Sequence, residues 1–195
     1  MVLLFSFRSS VADWYYVPTG SMEPTIQVGD RVVVDKSAYS LELPFTDVVV
    51  AKTGNINRGD IVIIDSNAAD TRLIKRVVAI EGDKVKLENN VLFINGEKAT
   101  LSVKGHNLYS EQILGQTRTI ALNPLPSPAK NFNLITVPRG HVLAMGDNRN
   151  NSVDSRYYGF IPIEEIQGKA NSVAFSLDPD EMYLPRKDRL FTSLQ

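Results

Sequence analysis

Short runs of β-branched residues punctuated by Gly-Asp pairs constrain the fold of this chain more than any other feature of it. Arg31-Val32-Val33-Val34-Asp35 follows Gly29-Asp30, Ile61-Val62-Ile63-Ile64-Asp65 follows Gly59-Asp60, and Thr71–Ile80 runs up to Gly82-Asp83. Side chains branched at Cβ are stiff at χ1 and pack well on a pleated surface, so these runs read as strands. The Ile61–Ile64 run is apolar without interruption, which predicts a strand covered on both faces. Lys84–Lys98 reads as short strands with turns at Glu88-Asn89-Asn90 and at Asn95-Gly96, the second a hairpin signal. Leu134–Pro138, His141–Met145 and Gly168–Leu177 are strand-like, Leu41–Val50 reads as loop then strand around Pro44, and Ile163–Ile166 as one helical turn. The expected class is therefore mainly β.

The chain is long enough, at 195 residues, for one domain or slightly more with a real core. A net charge of −1 and the lack of any Lys/Arg run argue against nucleic acid as a partner. There is no cysteine, which removes thiol catalysis, thiolate metal sites and disulfides together. The two histidines, His106 and His141, are too few and too scattered for a metal cluster. The expectation is a protein with no metal and no organic cofactor.

Val17-Pro18-Thr19-Gly20-Ser21-Met22-Glu23-Pro24-Thr25 is the stretch that promises chemistry. Pro18 and Pro24 fix φ and remove N–H donors, so the segment is neither helix interior nor central strand. Gly20 is expected to take a backbone conformation that residues with a Cβ avoid. A hydroxyl, Ser21, would then sit on a stiff loop with its N–H turned outward. The alternative is an ordinary surface turn.

To attack a carbonyl, Ser21 needs a base. His141 lies in a strand-like run and His106 in the least patterned part of the chain, so a Ser-His-Asp site is disfavoured. A lysine buried on a strand loses its proton more easily, because low dielectric disfavours the ammonium. Lys75, flanked by Leu73, Ile74, Val77 and Val78, is the best placed; Lys36 and Lys52 sit beside polar or turn residues. Strand alternation puts Lys75 and Arg76 on opposite faces, so one of the two is expected to point inward. A polar loop, Gly146-Asp147-Asn148-Arg149-Asn150-Asn151-Ser152-Val153-Asp154-Ser155-Arg156, is dense enough in donors and acceptors to support a site.

Pro18–Thr25, Gly29-Asp30, Lys75-Arg76-Val77 with Gly82-Asp83, and Gly146-Asp147-Asn148-Arg149…Ser152…Asp154-Ser155-Arg156 together resemble the motif series of bacterial type I signal peptidases, in order and spacing from Val17 to Lys169. The resemblance implies an antiparallel β catalytic core of signal-peptidase/LexA-like type with a smaller inserted β-rich subdomain. It implies a serine endopeptidase that removes signal peptides from secreted preproteins after small residues in an Ala-X-Ala pattern. By the same resemblance Ser21 is nucleophile and Lys75 general base, and the Ser21 N–H with the Thr19 hydroxyl forms the oxyanion hole. Ser152 would hydrogen-bond and orient the lysine. Asp154 and Arg156 would form an ion pair beneath the site, with Asp147 as a further support. Val17, Met22, Ile26, Leu73 and Ile74 would line a shallow apolar substrate pocket.

The apolar start Met1–Phe7 is too short to span a bilayer, which takes roughly 20 residues. With Trp14, Tyr15 and Tyr16 it reads as the outer end of a membrane anchor, residues 1–16. The expected division is 17–99 with 134–180 as the core, 100–133 as a peripheral insertion broken by Gly105, Gly115 and Pro124–Pro128, and 181–195 as a tail. The resemblance places the enzyme at the bacterial plasma membrane, catalytic domain on the extracytoplasmic or periplasmic side. Its expected partners are signal peptides and a lipid surface. Rival readings are a pilin-type or LexA-type Ser-Lys peptidase, or an inactive β-rich binding module.

Overall fold

The computed structural model describes residues 12–42, 49–125 and 127–194. In chain order its strands are β1 (Ala12–Tyr16), β2 (Asp30–Asp35), β3 (Ser40–Glu42), β4 (Val49–Lys52), β5 (Ile61–Ser66), β6 (Thr71–Ile80), β7 (Lys84–Glu88), β8 (Val91–Ile94) and β9 (Glu97–Lys98). There follow β10 (Thr100–Gly105), β11 (Leu108–Ile113), β12 (Gln116–Ala121), β13 (Phe132–Thr136), β14 (His141–Met145), β15 (Ile161–Pro162), β16 (Ile166–Asp178), β17 (Leu184–Pro185) and β18 (Thr192–Ser193). The one α-helix among the described residues is α1 (Ser155–Tyr158).

The main sheet runs β1-β2-β16-β5-β6-β14-β15, with β17 and β18 paired to further parts of β16. Every pairing between these strands is antiparallel. The uninterrupted apolar run of β5 has the predicted cause. Ile61 and Ile63 join a core with Val17, Met22, Ile26, Val32 and Val34 on one face, while Val62 and Ile64 join Val77, Val142, Ala144 and Ile161 on the other. Burying an aliphatic side chain contributes about 1.5–3 kcal/mol, so filling both faces makes β5 the central beam of the sheet. β6 is the next strand, its Lys75 opposite Val62 and its Arg76 opposite Ile61.

A second sheet, β13-β7-β8-β9, carries the predicted Asn95-Gly96 turn, both residues at positive φ (53° and 87°) as a tight two-residue hairpin requires. The region after Thr100 holds a three-stranded antiparallel meander of short strands, β10-β11-β12, in keeping with an inserted β-rich part. Gly105 and Gly115 fall at the turns between its strands, so the glycines that suggested breakage are the hairpin corners. Residues 12–16, expected as part of a membrane anchor, form the edge strand β1 against β2. The Leu41–Val50 reading falls partly on 43–48, outside the described residues, and β4 begins at Val49. No helix among the described residues is long and apolar enough to cross a membrane.

Candidate active site

The Ser21 loop is closed at its base by backbone bonds from Val17 N to Asp30 O and from Gly29 N to Val17 O, each 3.0 Å. Between these anchors Gly20–Met22 makes one turn of 3₁₀ helix, entered from an extended Thr19 and left through an extended Glu23. Met22 and Ile26 are sunk in the core, at 1% and 0% exposure, and fix the turn like two pegs. The expectation for Gly20 needs correcting. Its φ lies outside the left-handed range, and a Cβ there would meet only the carboxylate end of the flexible Glu23 side chain, at 2.9 Å.

Lys75 Nζ lies 2.8 Å from Ser21 Oγ, across 54 residues of sequence. The lysine is 4% exposed, among Val62, Leu73 and Val77, and is in no ion pair among the described residues. Burial pushes its pKa down from 10.5 to about 8; Asp154 and Asp147 oppose that shift and Arg156 reinforces it. The expectation that only one of Lys75 and Arg76 points inward does not hold, since Arg76 is also 4% exposed. Alternation is obeyed, but both faces of β6 are covered at this height. Arg76 is held there by Asp147, to which it donates from Nε (2.9 Å) and Nη2 (2.7 Å), and by the Gly59 carbonyl (2.8 Å).

The polar loop after β14 braces both residues. Asp147 also accepts from the Thr25 hydroxyl (2.5 Å), tying the Arg76 pair to the Ser21 loop. Asp154 accepts from Arg156 Nε (2.8 Å) and Nη2 (2.7 Å), from the Gly146 N–H (2.9 Å) and from the Ser152 hydroxyl (2.7 Å). Burial acts to raise the Asp154 pKa, but these donors outweigh it and hold the carboxyl below its ordinary range. The Asp154–Arg156 pair thus forms as expected. Ser152 differs: it gives its proton to Asp154, and among the described residues no hydrogen bond joins it to Lys75. Gly146 is forced by contact, because a Cβ there would lie 2.4 Å from both Ser152 Oγ and the Ser21 carbonyl oxygen.

Two supports were not foreseen from the sequence. Asn148 donates its backbone N–H to the Ser21 oxygen (3.1 Å) and its side-chain amide to the Gly20 oxygen (3.0 Å). Arg149, 1% exposed, makes a double bond pattern with Glu111 of the meander (2.7 and 2.6 Å), and Arg118 adds a third contact (2.6 Å). Burial acts to raise the Glu111 pKa, yet the two guanidiniums hold it at about 2. The only hint in the sequence was the density of Asn and Arg in the loop; the partners at 111, 118 and 123 lie in a stretch with no motif.

A groove of about 340 Å³ opens at Ser21 and Lys75, lined by residues 15–19, Ser21, Met22 and residues 71–75. Val17, Met22, Leu73 and Ile74 are where the pocket reading put them. Ile26 is not on the wall but beneath it, fully buried. Tyr15 and Tyr16, read as membrane-interface residues, also line the groove, with Tyr15 stacked on the Arg72 guanidinium at 4.6 Å. Cavities of about 510 and 520 Å³ lie elsewhere, but the smaller groove is the one that contains Ser21 and Lys75.

Residues 1–175 match the family model described as signal peptidase, peptidase S26. The chain belongs to this family. A signal peptidase I of Pseudomonas aeruginosa is 33% identical over 97% of this chain and 74% of its own length. Signal peptidase IB of Staphylococcus aureus is 34% identical over 87% of this chain and 81% of its own. A solved signal peptidase I from Enterococcus faecalis, 28% identical, covers 59% of this chain and 96% of that chain at a TM-score of 0.40; family membership rests on the sequence matches. The activity is accordingly that of signal peptidase I, a serine-type peptidase acting on signal peptides.

Proposed function

We propose that Ser21 and Lys75 carry this activity as a nucleophile–base pair. The observation that carries the assignment is the 2.8 Å contact between Ser21 Oγ and a buried lysine whose pKa is lowered to about 8. In the neutral form the amine accepts the Ser21 proton as Oγ adds to the scissile carbonyl, then returns it to the leaving amine. The oxyanion that forms is received by the Ser21 N–H and the Thr19 hydroxyl, neither of which has a hydrogen-bond partner among the described residues. Water, deprotonated by the same lysine, then releases the acyl group. Met22, Leu73 and Ile74 leave room beside Ser21 for a small side chain, which supports cleavage after Ala-X-Ala by rejecting bulk.

The same reading puts the groove at a bacterial membrane surface on the extracytoplasmic side. Tyr16, Arg31 and Phe175 stand in one cross-strand row, with Trp14 two residues along β1 on the same face. Trp14 is 57% and Phe191 77% exposed, and Phe191 is bonded to β16 next to Phe175. An exposed aromatic and apolar strip adjoining a substrate groove suits a lipid headgroup boundary. Incubation with a preprotein bearing an Ala-X-Ala site should give the mature product, and Ser21→Ala and Lys75→Ala should give none. Retained cleavage by either variant would overturn the pair.

A further inference from the structure

We infer that Asn148 is a positioning residue that aims the Ser21 N–H into the oxyanion hole, with Asn123 as the latch that orients Asn148. The inference rests on the nucleophile assignment above. A peptide unit is planar and trans, so the Gly20 C=O and the Ser21 N–H point in opposite directions from one rigid plate. Whatever fixes the carbonyl also fixes the N–H. The Gly20 oxygen accepts from Asn148 Nδ2 (3.0 Å) and from the Glu23 N–H (3.2 Å), which engages both its lone pairs. The next carbonyl, that of Ser21, accepts from the Asn148 backbone N–H (3.1 Å). One residue therefore pins the plates on both sides of the Ser21 Cα, while the Ser21 N–H itself remains without an acceptor among the described residues.

Asn148 is 1% exposed and its amide orientation is set by partners rather than by water. Asn123 donates from Nδ2 to Asn148 Oδ1 (3.0 Å), so a reversed Asn148 amide would set two NH₂ groups face to face and its own oxygen against the Gly20 oxygen. Asn123 is held in turn by Asn150, whose Nδ2 donates to its carbonyl (2.6 Å). Just before it, Ala121 N bonds Asp147 O (2.9 Å), which brings the end of β12 alongside the catalytic loop. The stretch after the meander thus acts on the reaction through one amide.

Because the oxyanion exists only in the transition state and tetrahedral intermediate, loss of aim should appear in kcat and not in substrate binding. The experiment compares wild type, Asn148→Ala, Asn123→Ala and Ser21→Ala on an Ala-X-Ala peptide and on a matching peptide aldehyde. The aldehyde adds the Ser21 oxygen to its carbonyl and sets the resulting oxygen in the same hole. For Asn148→Ala we expect kcat about 30-fold lower, KM within about twofold, and aldehyde inhibition weakened by the same factor as kcat. Asn123→Ala should show about a fivefold loss with the same pattern. The acid limb of the pH–rate profile should stay near the wild-type position, since Lys75 is untouched. Wild-type kcat in folded Asn148→Ala, a loss confined to KM, or an acid limb that moves would each overturn the inference. If Asn148→Ala does not fold, Asn123→Ala decides, and an unchanged kcat there overturns it. Cleavage by Ser21→Ala would instead remove the nucleophile assignment, so the two failures are distinguishable.

Discussion

Lys75 and Arg76 are neighbours on β6, equally buried, and the protein treats them in opposite ways. Arg76 points to the face of Ile61 and Ile74, and meets a carboxylate and a carbonyl that together occupy its Nε, Nη1 and Nη2. Lys75 points to the face of Val62 and Val77, with a serine hydroxyl as its hydrogen-bond partner. A guanidinium stays charged in any protein environment, so burying it demands an anion; an ammonium can escape the demand by losing its proton. One face of the strand spends a carboxylate to keep a charge, and the other withholds one to weaken it. On the proposed assignment the difference is what turns an ordinary lysine into a base: the carboxylates that act on it, Asp147 and Asp154, are held by Arg76 and Arg156 rather than by the lysine.

The comparison is broken most severely by replacing Lys75 with Met. Cleavage should fall at least about a thousandfold, as expected for removal of a general base. Stability should rise, because at neutral pH the folded state holds a lysine whose proton affinity is depressed. Between pH 8 and 10.5 the unfolded chain binds the proton that the folded chain has shed, so wild-type stability climbs with pH across that window. Lys75→Met should remove that slope and gain about 1–3 kcal/mol at pH 7, read by urea denaturation. A destabilised variant would mean that the lysine is content in its site.

Arg76 predicts the reverse. Asp147→Asn or Arg76→Met leaves its former partner buried without compensation, and should cost about 3–5 kcal/mol in chemical denaturation. Loss of activity should then track loss of folded protein. A well-folded, inactive Arg76→Met would show that the arginine takes part in the chemistry and blur the contrast.

A pH titration of kcat/KM tests the lysine without mutation. Below about pH 8 the ammonium dominates and the rate should fall tenfold per unit; above it the rate should level. An acid limb near pH 4–5 would point to a carboxylate base instead. The mildest effect is expected at Arg72 on the same strand. Its pair with Asp65 (2.5 Å) is exposed at 47% and 42%, and exposed pairs contribute within about 1 kcal/mol. Arg72→Ala should therefore shift the denaturation midpoint only slightly, which would rank the three basic residues of β6 by what surrounds them.

Much of this was legible in the residues themselves. β-Branched runs located β2, β5 and β6, and the Asn95-Gly96 pair located its hairpin, because each signal is local. The contact between Ser21 and Lys75, on which the proposed pair rests, was legible because the two residues sit in separate motifs whose order is informative. Burial of Arg76 was not, since alternation describes one strand and says nothing of the loop from Gly146 that covers its other face. The strand pairing of the meander was not legible for a related reason: its glycines mark breaks, but nothing local shows that Glu111 reaches Arg149, 38 residues away. For Ser152, the destination of its proton is Asp154, which spacing alone does not reveal.

The Arg189 side chain, from the segment after β17, donates to the Thr25 carbonyl (3.0 Å) and to Asp30 Oδ1 (2.9 Å) at the two ends of the nucleophile loop's second half. Those contacts span 164 and 159 residues. Ser21 is thus synthesised well before the side chain that clasps its loop. Pairings this distant form slowly. The loop that carries Ser21 therefore gains this outer brace only after its local contacts have formed, so its final stiffening is a late event of folding.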